Sequence, residues 1–410
     1  AARCGDGVRR IDLDSETSGY EECDDGNAYD TDTCLSNCTL RKAVQISVGL
    51  NHSCALINDG SVRCWGEILD YDPNTSWAVW AEIPSPKLVQ GLSNVVRISA
   101  GGGFTCALTT DDDVHCWGDN SKGQLGDGSD VDRVGPVRVG GLDKVSGITT
   151  GSMSHTCAVG RAEGRVACWG YNYYGQLGDG TQTDRLSPVA IARARSLEDL
   201  TQIQQVVAGK MHTCARTVNS AVYCWGMTGG PNNDNGRHSI PNRVELNERV
   251  LTISAGGNHT CALGRDGFVY CWGRNDHGQL GDSTRSDRTI LEPNLRVVEL
   301  ENATGVAAGQ EHTCALVDQG RVRCWGNNHK GRLGSGTNAD SVVPVEVEGL
   351  SNAVGISSGG KHTCALLGDG SVYCWGWNMY GQLGDGTRQD SLTPVAVQGL
   401  LDDVMQRPRP

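Results

Sequence analysis

The chain has 410 residues, of which 56 are glycine and 2 are phenylalanine, and its formal net charge is −13. It is long enough to bury a sizeable core and too long for one ordinary domain. The acidic charge and the lack of a basic stripe argue against nucleic-acid binding, and no apolar run is long enough to span a bilayer. Many glycines between short β-branched runs predict an all-β chain.

The cysteine content is the strongest compositional signal. The chain contains 18 cysteines, an even number far above what cytosolic proteins usually carry. Such a content indicates either disulfides or metal sites. Because disulfides persist in oxidising compartments, we expect a secreted protein, extracellular or at the cell surface.

Residues 1–41 differ from the rest of the chain and predict a small module held together by disulfides. A segment this short cannot build a hydrophobic core of its own. Four cysteines allow three pairings, which the sequence leaves open. The string Glu22-Cys23-Asp24-Asp25-Gly26-Asn27 resembles the cysteine-rich repeat of secreted myxobacterial proteins. The four cysteines are Cys4, Cys23, Cys34 and Cys38.

The same module concentrates carboxylate and amide oxygens around one glycine. Hard cations prefer oxygen ligands, so these residues form a candidate calcium site, although their spacing is not that of an EF-hand loop. The alternative is that they are solvated turn residues. The candidate ligands are Asp24, Asp25, Asn27, Asp30 and Asp32.

Residues 42–404 contain seven copies of one phrase, in which two cysteines precede a Trp-Gly pair. The first cysteines of consecutive copies lie 47 to 57 residues apart. A period near 50 residues built from short strands predicts a β-propeller with one blade per copy. The predicted blades are 42–92, 93–142, 143–200, 201–248, 249–301, 302–350 and 351–404, followed by a tail at 405–410.

Each cysteine pair predicts a stapled hairpin. In the last copy, Gly370 is the third residue of a three-residue loop, where a type I turn followed by a left-handed residue needs glycine. This register places Cys364 directly opposite Cys374, within disulfide reach. Leu366 and Val372 share their face, which we expect to pack against a neighbouring blade. The predicted pairs are Cys54–Cys64, Cys106–Cys116, Cys157–Cys168, Cys214–Cys224, Cys261–Cys271, Cys314–Cys324 and Cys364–Cys374.

A longer frame surrounds the hairpin: "VVRISAGG" before it, then "GQLGDGT" and "PVAVQGL" after it. This frame resembles the regulator of chromosome condensation repeat, whose seven copies form a seven-bladed β-propeller. The resemblance covers roughly residues 42–404 and implies the same fold here. Nucleotide exchange on a nuclear GTPase, known in that family, is not carried over, because a cysteine-stapled acidic chain does not suit the nucleus.

Copies one and four depart from the frame. Both lack the Gly-Gln-Leu-Gly loop, and copy four has Arg216 where the other hairpins have an apolar residue. The insertion of copy one contains Trp77 and Trp80, which predict an interaction patch. A locally buried pair that covers the insertion is the alternative.

No pattern in the chain predicts an enzyme. Six copies have a histidine before the first cysteine, from His52 to His362, and copy two has Phe104. A residue repeated at one strand start is expected to be structural, holding a neighbouring backbone group. Asp127, Asp179 and Asp385 recur at one loop position and are interpreted as turn residues. Zinc, haem, P-loop and dinucleotide motifs are not found.

The sequence therefore predicts a non-enzymatic secreted protein whose partners are proteins, mainly other copies of itself. We expect a subunit of an extracellular filament or surface assembly, in which residues 1–41 contact a neighbouring copy. A head-to-tail contact that does not close produces such a filament. The alternative is a monomeric binding, inhibitory or adhesion module that uses one propeller face. Leu400–Gln406 resembles the start of an eighth copy and is expected to lie beside the first blade.

Overall fold

A computed structural model describes residues 40–72, 75, 77–192, 202–228, 237–246, 248–289 and 296–401. These residues form seven antiparallel sheets, one for each copy of the repeat, and the first strand of every sheet lines a common axis. The protein is therefore an all-β, seven-bladed propeller. Among the described residues, no helix is long and apolar enough to cross a membrane.

The first four blades each contain four strands in chain order. Blade one has β1 (Ala43–Val48), β2 (His52–Ile57), β3 (Val62–Tyr71) and β4 (Ala78–Leu88). Blade two has β5 (Val95–Ala100), β6 (Phe104–Thr109), β7 (Val114–Gly118) and β8 (Arg133–Arg138). Blade three has β9 (Val145–Thr150), β10 (His155–Gly160), β11 (Val166–Gly170) and β12 (Arg185–Ala190). Blade four has β13 (Ile203–Ala208), β14 (His212–Thr217), β15 (Val222–Met227) and β16 (Arg237–Val244).

The last three blades repeat this plan. Blade five has β17 (Val250–Ala255), β18 (His259–Gly264) and β19 (Val269–Gly273), to which Arg288 and Arg296 add isolated bridges. Blade six has β20 (Gly305–Ala308), β21 (His312–Val317), β22 (Arg321–Gly326) and β23 (Ser341–Glu346), with short 3-10 turns at Asp318–Gly320 and His329–Gly331. Blade seven has β24 (Ala353–Ser358), β25 (His362–Leu367), β26 (Val372–Gly376) and β27 (Ser391–Ala396).

The core lies between the blades. Second strands such as β2 are buried along their whole length, because a neighbouring blade covers each face of the sheet. The cysteines of blade one and Val62 pack against Ile98 and Trp117 of blade two. As predicted, the cysteine face of each hairpin contacts the neighbouring blade, where the Trp of the repeated phrase covers it.

All seven predicted disulfides of the propeller are present. In each hairpin the two cysteines are directly paired across the strands, as Cys54 is with Cys64, and the Cα atoms lie 4.0–4.1 Å apart. Gly370 has φ +88°, which confirms the predicted hairpin turn. Because the register places the two cysteines of each hairpin directly opposite each other, the disulfide follows from the hairpin register.

Copy four buries an arginine at a blade interface. The side chain of Arg216 is only 9% exposed. Its Nη2 donates to Gln204 Oε1 at 2.8 Å, whereas Nε is buried without a hydrogen-bond partner. Burial lowers the pKa of this guanidinium from its usual value. The interface between blades four and five is therefore more polar than its counterparts.

Blades seven and one pack against each other, and each forms its own four-stranded sheet in the part of the chain that the structure describes. Trp65 Nε1 donates to the carbonyl of Gln382 at 2.9 Å across this seam. Leu400 is buried with Ala43 and Ile46 of the first blade, as its expected position implied. It lies in a bend that packs against these residues.

Candidate interaction face

Two loops of every blade lie on the same side of the disc. The loop between the first and second strands and the loop between the third and fourth strands share one end of the sheet, because the strands are antiparallel. The amide of Glu67 donates to the Asn51 carbonyl at 2.9 Å, and the amide of Trp377 donates to the Lys361 carbonyl at 3.0 Å. We call this side the upper face and the opposite side the lower face.

A ring of seven glycines narrows the central axis near the upper face. A Cβ at Gly359 would lie 2.1 Å from the Gly49 carbonyl oxygen, and at the other six the corresponding distances are 2.3–2.9 Å. Only glycine lets neighbouring backbones approach so closely. The axial cavity is about 80 Å³, smaller than the roughly 300–1,000 Å³ of pockets that bury small-molecule ligands. The ring consists of Gly49, Gly101, Gly151, Gly209, Gly256, Gly309 and Gly359.

The repeated histidines join adjacent blades. His155 Nε2 lies 3.0 Å from Thr213 Oγ1 of the next blade, and Thr213 Oγ1 donates to the Gln176 carbonyl at 2.7 Å. Because the single hydroxyl proton points to Gln176, His155 Nε2 is the donor of the first bond. The prediction named a neighbouring backbone group as the partner, and the structure adds a side-chain hydroxyl at Nε2. The same contact joins His52 to Thr105, His212 to Thr260, His259 to Thr313, His312 to Thr363 and His362 to Ser53.

These histidines are neutral structural groups. Burial lowers the pKa of His52 and His212 to about 4, and that of His155, His259 and His362 to about 3. A second ring proton has no acceptor at the buried Nδ1 of His212 or His259. Near neutral pH these imidazoles therefore stay neutral and act only through their hydrogen bonds between blades.

The loops of the upper face are built on a buried asparagine. Asn172 Nδ2 donates to the Thr181 carbonyl at 3.2 Å, and its Oδ1 accepts from the Leu177 amide at 2.9 Å. Asp179 accepts from the Thr181 amide at 2.9 Å and pairs with Arg185 at 2.7 Å. Burial alone would raise the pKa of Asp179, but these contacts outweigh it and lower the pKa. Asn120, Asn275, Asn328 and Asn378 occupy the same position.

This scaffold presents variable residues on either side of the asparagine. Blade three presents Tyr173 and Tyr174, and Arg237 Cζ lies 5.0 Å and 5.1 Å from their ring centroids. In blade seven, Lys361 Nζ lies 4.4 Å from the Trp377 ring centroid. Sequence reasoning missed these aromatic residues, although the recurring order of Trp-Gly, any residue and Asn marks their loops.

Blade one replaces such a loop by a projecting two-stranded arm, the part of β3 and β4 beyond Gly66. The arm is paired as far as Tyr71 opposite Ala78. Trp77 is 76% exposed, Tyr71 61% and Trp80 43%. The interpretation of Trp77 and Trp80 as a locally buried pair is therefore wrong. Both side chains are available for contact.

The remaining predicted site residues lie outside the described residues. They are Cys4, Cys23, Cys34 and Cys38 of the N-terminal module, and the candidate calcium ligands Asp24, Asp25, Asn27, Asp30 and Asp32.

The fold is thus a propeller of seven repeated blades, and its upper face presents exposed loops and the arm of blade one. The RCC1-like domain profile matches residues 202–407. Profiles of the regulator of chromosome condensation (RCC1) repeat match 43–67 and 95–124, and 111–159 and 163–216. The chain belongs to this RCC1 repeat family.

Individual relatives agree with this assignment. The chain is 34% identical over 317 residues to the ultraviolet-B receptor UVR8 of Arabidopsis thaliana, covering 75% of this chain and 70% of that protein. It is 28% identical over 325 residues to the mouse E3 ubiquitin-protein ligase HERC2, covering 75% of this chain but only 6% of HERC2. The structure of yeast RCC1 (Prp20), solved with Kap60, has the same fold, with a TM-score of 0.70 at 19% identity over 95% of this chain and 91% of Prp20.

Proposed function

We propose that this protein is a non-enzymatic interaction propeller that acts outside the cytosol as a subunit of an extracellular filament or surface assembly. The observation that carries the proposal is the exposed aromatic arm on a rigid ring. Exposed aromatic side chains of this size are characteristic of protein-binding surfaces, where Trp and Tyr dominate the binding energy.

The disulfides support a compartment outside the cytosol. All fourteen cysteines of the propeller are buried and paired. Reducing compartments keep thiols free, so a protein with a staple in every blade is suited to an oxidising one. The staples keep each blade rigid, which lowers the entropy lost when the loops bind a partner.

The assembly requires two different contact surfaces on each copy. The upper face with its arm is one of them, and the N-terminal module of residues 1–41 is the other. A contact between unlike surfaces of identical copies extends into a filament when it does not close into a ring. Calcium held by the acidic residues of the module would strengthen this contact by fixing its loops.

A propeller of this fold binds other proteins in yeast. Yeast RCC1 (Prp20) binds Kap60 in its solved structure, and a second study of Prp20p addresses its binding to Gsp1p and histones. For the present chain we propose only that the propeller binds proteins.

One observation favours the alternative of a monomeric binding or adhesion module. The net charge of −13 makes copies repel one another and keeps proteins dispersed. In that case the same face and arm bind a different protein, and no contact between copies forms.

Sedimentation velocity of the non-reduced protein, measured over a range of concentrations, separates the two functions. The proposal predicts species larger than the monomer that grow with concentration. The double variant Trp77→Ala/Trp80→Ala should sediment as a monomer. The control Val218→Ala, which removes exposed apolar surface on the lower face directly after β14, should assemble like the parent. A parent protein that stays monomeric at every concentration contradicts the assembly.

A further inference from the structure

A pocket of about 280 Å³ opens on the upper face between blades one and two. Trp80 of the arm forms one wall, and Gly103 forms part of the floor. A Cβ at Gly103 would lie 3.3 Å from Trp80 Cη2 and 3.8 Å from Asp119 Cβ, so a side chain there would intrude between them. Every other copy of the repeat has a larger residue at the position of Gly103. The pocket is therefore specific to this part of the ring.

Two half-buried carboxylates lie in the pocket. Glu67 Oε2 accepts from Asn51 Nδ2 at 2.7 Å, which fixes the carboxylate in place. Asp119 Oδ1 accepts from the Ser121 amide at 3.0 Å. Among the described residues, no Lys, Arg or His forms an ion pair with either group, and no hydrogen bond reaches their second oxygens. The pocket thus offers two carboxylate oxygens beside an aromatic face.

This combination matches a guanidinium group. A planar guanidinium stacks on an indole and donates through several N–H groups in its own plane, so it can bind carboxylates while it lies on an aromatic face. The chain uses related pairs elsewhere on the upper face, where Arg237 lies over Tyr173 and Lys361 over Trp377. Pockets that bury small-molecule ligands measure about 300–1,000 Å³, so this smaller one suits a single side chain.

We infer that the pocket formed by Glu67, Trp80, Gly103 and Asp119 binds an arginine side chain of the partner protein. This inference rests on the proposed function and adds the chemistry by which the partner is recognised. Arginine supplies the positive charge that the pocket lacks, and Trp80 of the arm supplies the aromatic face.

Titration of the ¹⁵N-labelled protein with Nα-acetyl-arginine amide tests the inference through the indole N–H signals. The signal of Trp80, assigned from Trp80→Phe, should shift saturably. The neutral citrulline analogue should cause no shift at the same concentration, and the lysine analogue should bind at least threefold more weakly. The double variant Glu67→Gln/Asp119→Asn should weaken arginine binding at least tenfold. Unchanged signals of the buried tryptophans would confirm that the variant is folded.

Equal responses to arginine and citrulline, or to arginine and lysine, would overturn the inference, as would undiminished binding by the carboxamide variant. The titration is run at a concentration at which sedimentation shows the monomer, so that the pocket is free and the indole signals stay sharp. An assembling protein without an arginine response contradicts only the pocket. A monomeric protein with a response contradicts only the assembly.

Discussion

Replacing His155 by Phe should make the protein less sensitive to acid. The ordinary pKa of 6.5 falls to about 3 for this buried ring, so below pH 6.5 the unfolded chain binds a proton that the native protein does not. Stability is therefore lost as the pH falls from 6.5 towards 3. Between pH 6 and pH 5 the linkage relation gives a loss of about 1 kcal/mol for each such histidine.

The chain itself supplies the replacement. Phe104 occupies the equivalent position in blade two and is 1% exposed, so phenylalanine fits this site. His155→Phe removes the bond to Thr213 at every pH, which lowers stability by about 1 kcal/mol, but it also removes one titrating group. The difference in unfolding free energy between pH 6 and pH 5 should consequently shrink by about 1 kcal/mol.

Urea unfolding at pH 7, 6 and 5, with the disulfides intact, measures this difference. The variant His329→Gln is the control: it replaces an exposed histidine, and so separates the effect of burial from the effect of removing any histidine. If His155→Phe retains the full pH dependence of the parent, the buried neutral histidine is not the cause of acid sensitivity and the reasoning is refuted.

Three further variants, one of them with a matched control, test the blade interfaces and one disulfide in the same urea assay. Arg216→Leu should raise the unfolding free energy by about 1–3 kcal/mol, because it removes a buried donor without a partner; a lower midpoint would contradict this. Gly359→Ala should lower the unfolding free energy by about 3 kcal/mol, because the new Cβ clashes at the axis. The control Gly135→Ala has no atom near its new Cβ and should be close to neutral. Equal effects of the two variants would contradict the claim that the axis requires glycine. The pair Cys261→Ala/Cys271→Ala should lower the unfolding free energy by about 3 kcal/mol on the chain-entropy relation, and an unchanged midpoint would show that the staple adds no stability.

The hairpins were predictable because their evidence is local. The spacing of Cys364 and Cys374 and the glycine at Gly370 determine the register within eleven residues, and the register determines the disulfide. Repetition then gave the number of blades, since each copy supplies one sheet. The resemblance to the RCC1 repeat led to the same ring, and the structure confirms both.

Contacts between blades were not predictable in the same way. His155 and Thr213 are separated by 58 residues, and only the closed ring brings them together. Asn172 recurs at one position of the repeat, but its hydrogen bonds depend on how the backbone of its own loop folds around it. The pocket beside Trp80 depends on how the arm of blade one leans over Gly103, and no local pattern encodes that arrangement.

The most direct test of the proposed function is electron microscopy of the purified, non-reduced protein, with and without a calcium chelator. We predict long regular fibres built from discs, which break down when calcium is removed from the N-terminal module. Isolated discs in both conditions would contradict the assembly and leave the monomeric binding module as the function of this propeller.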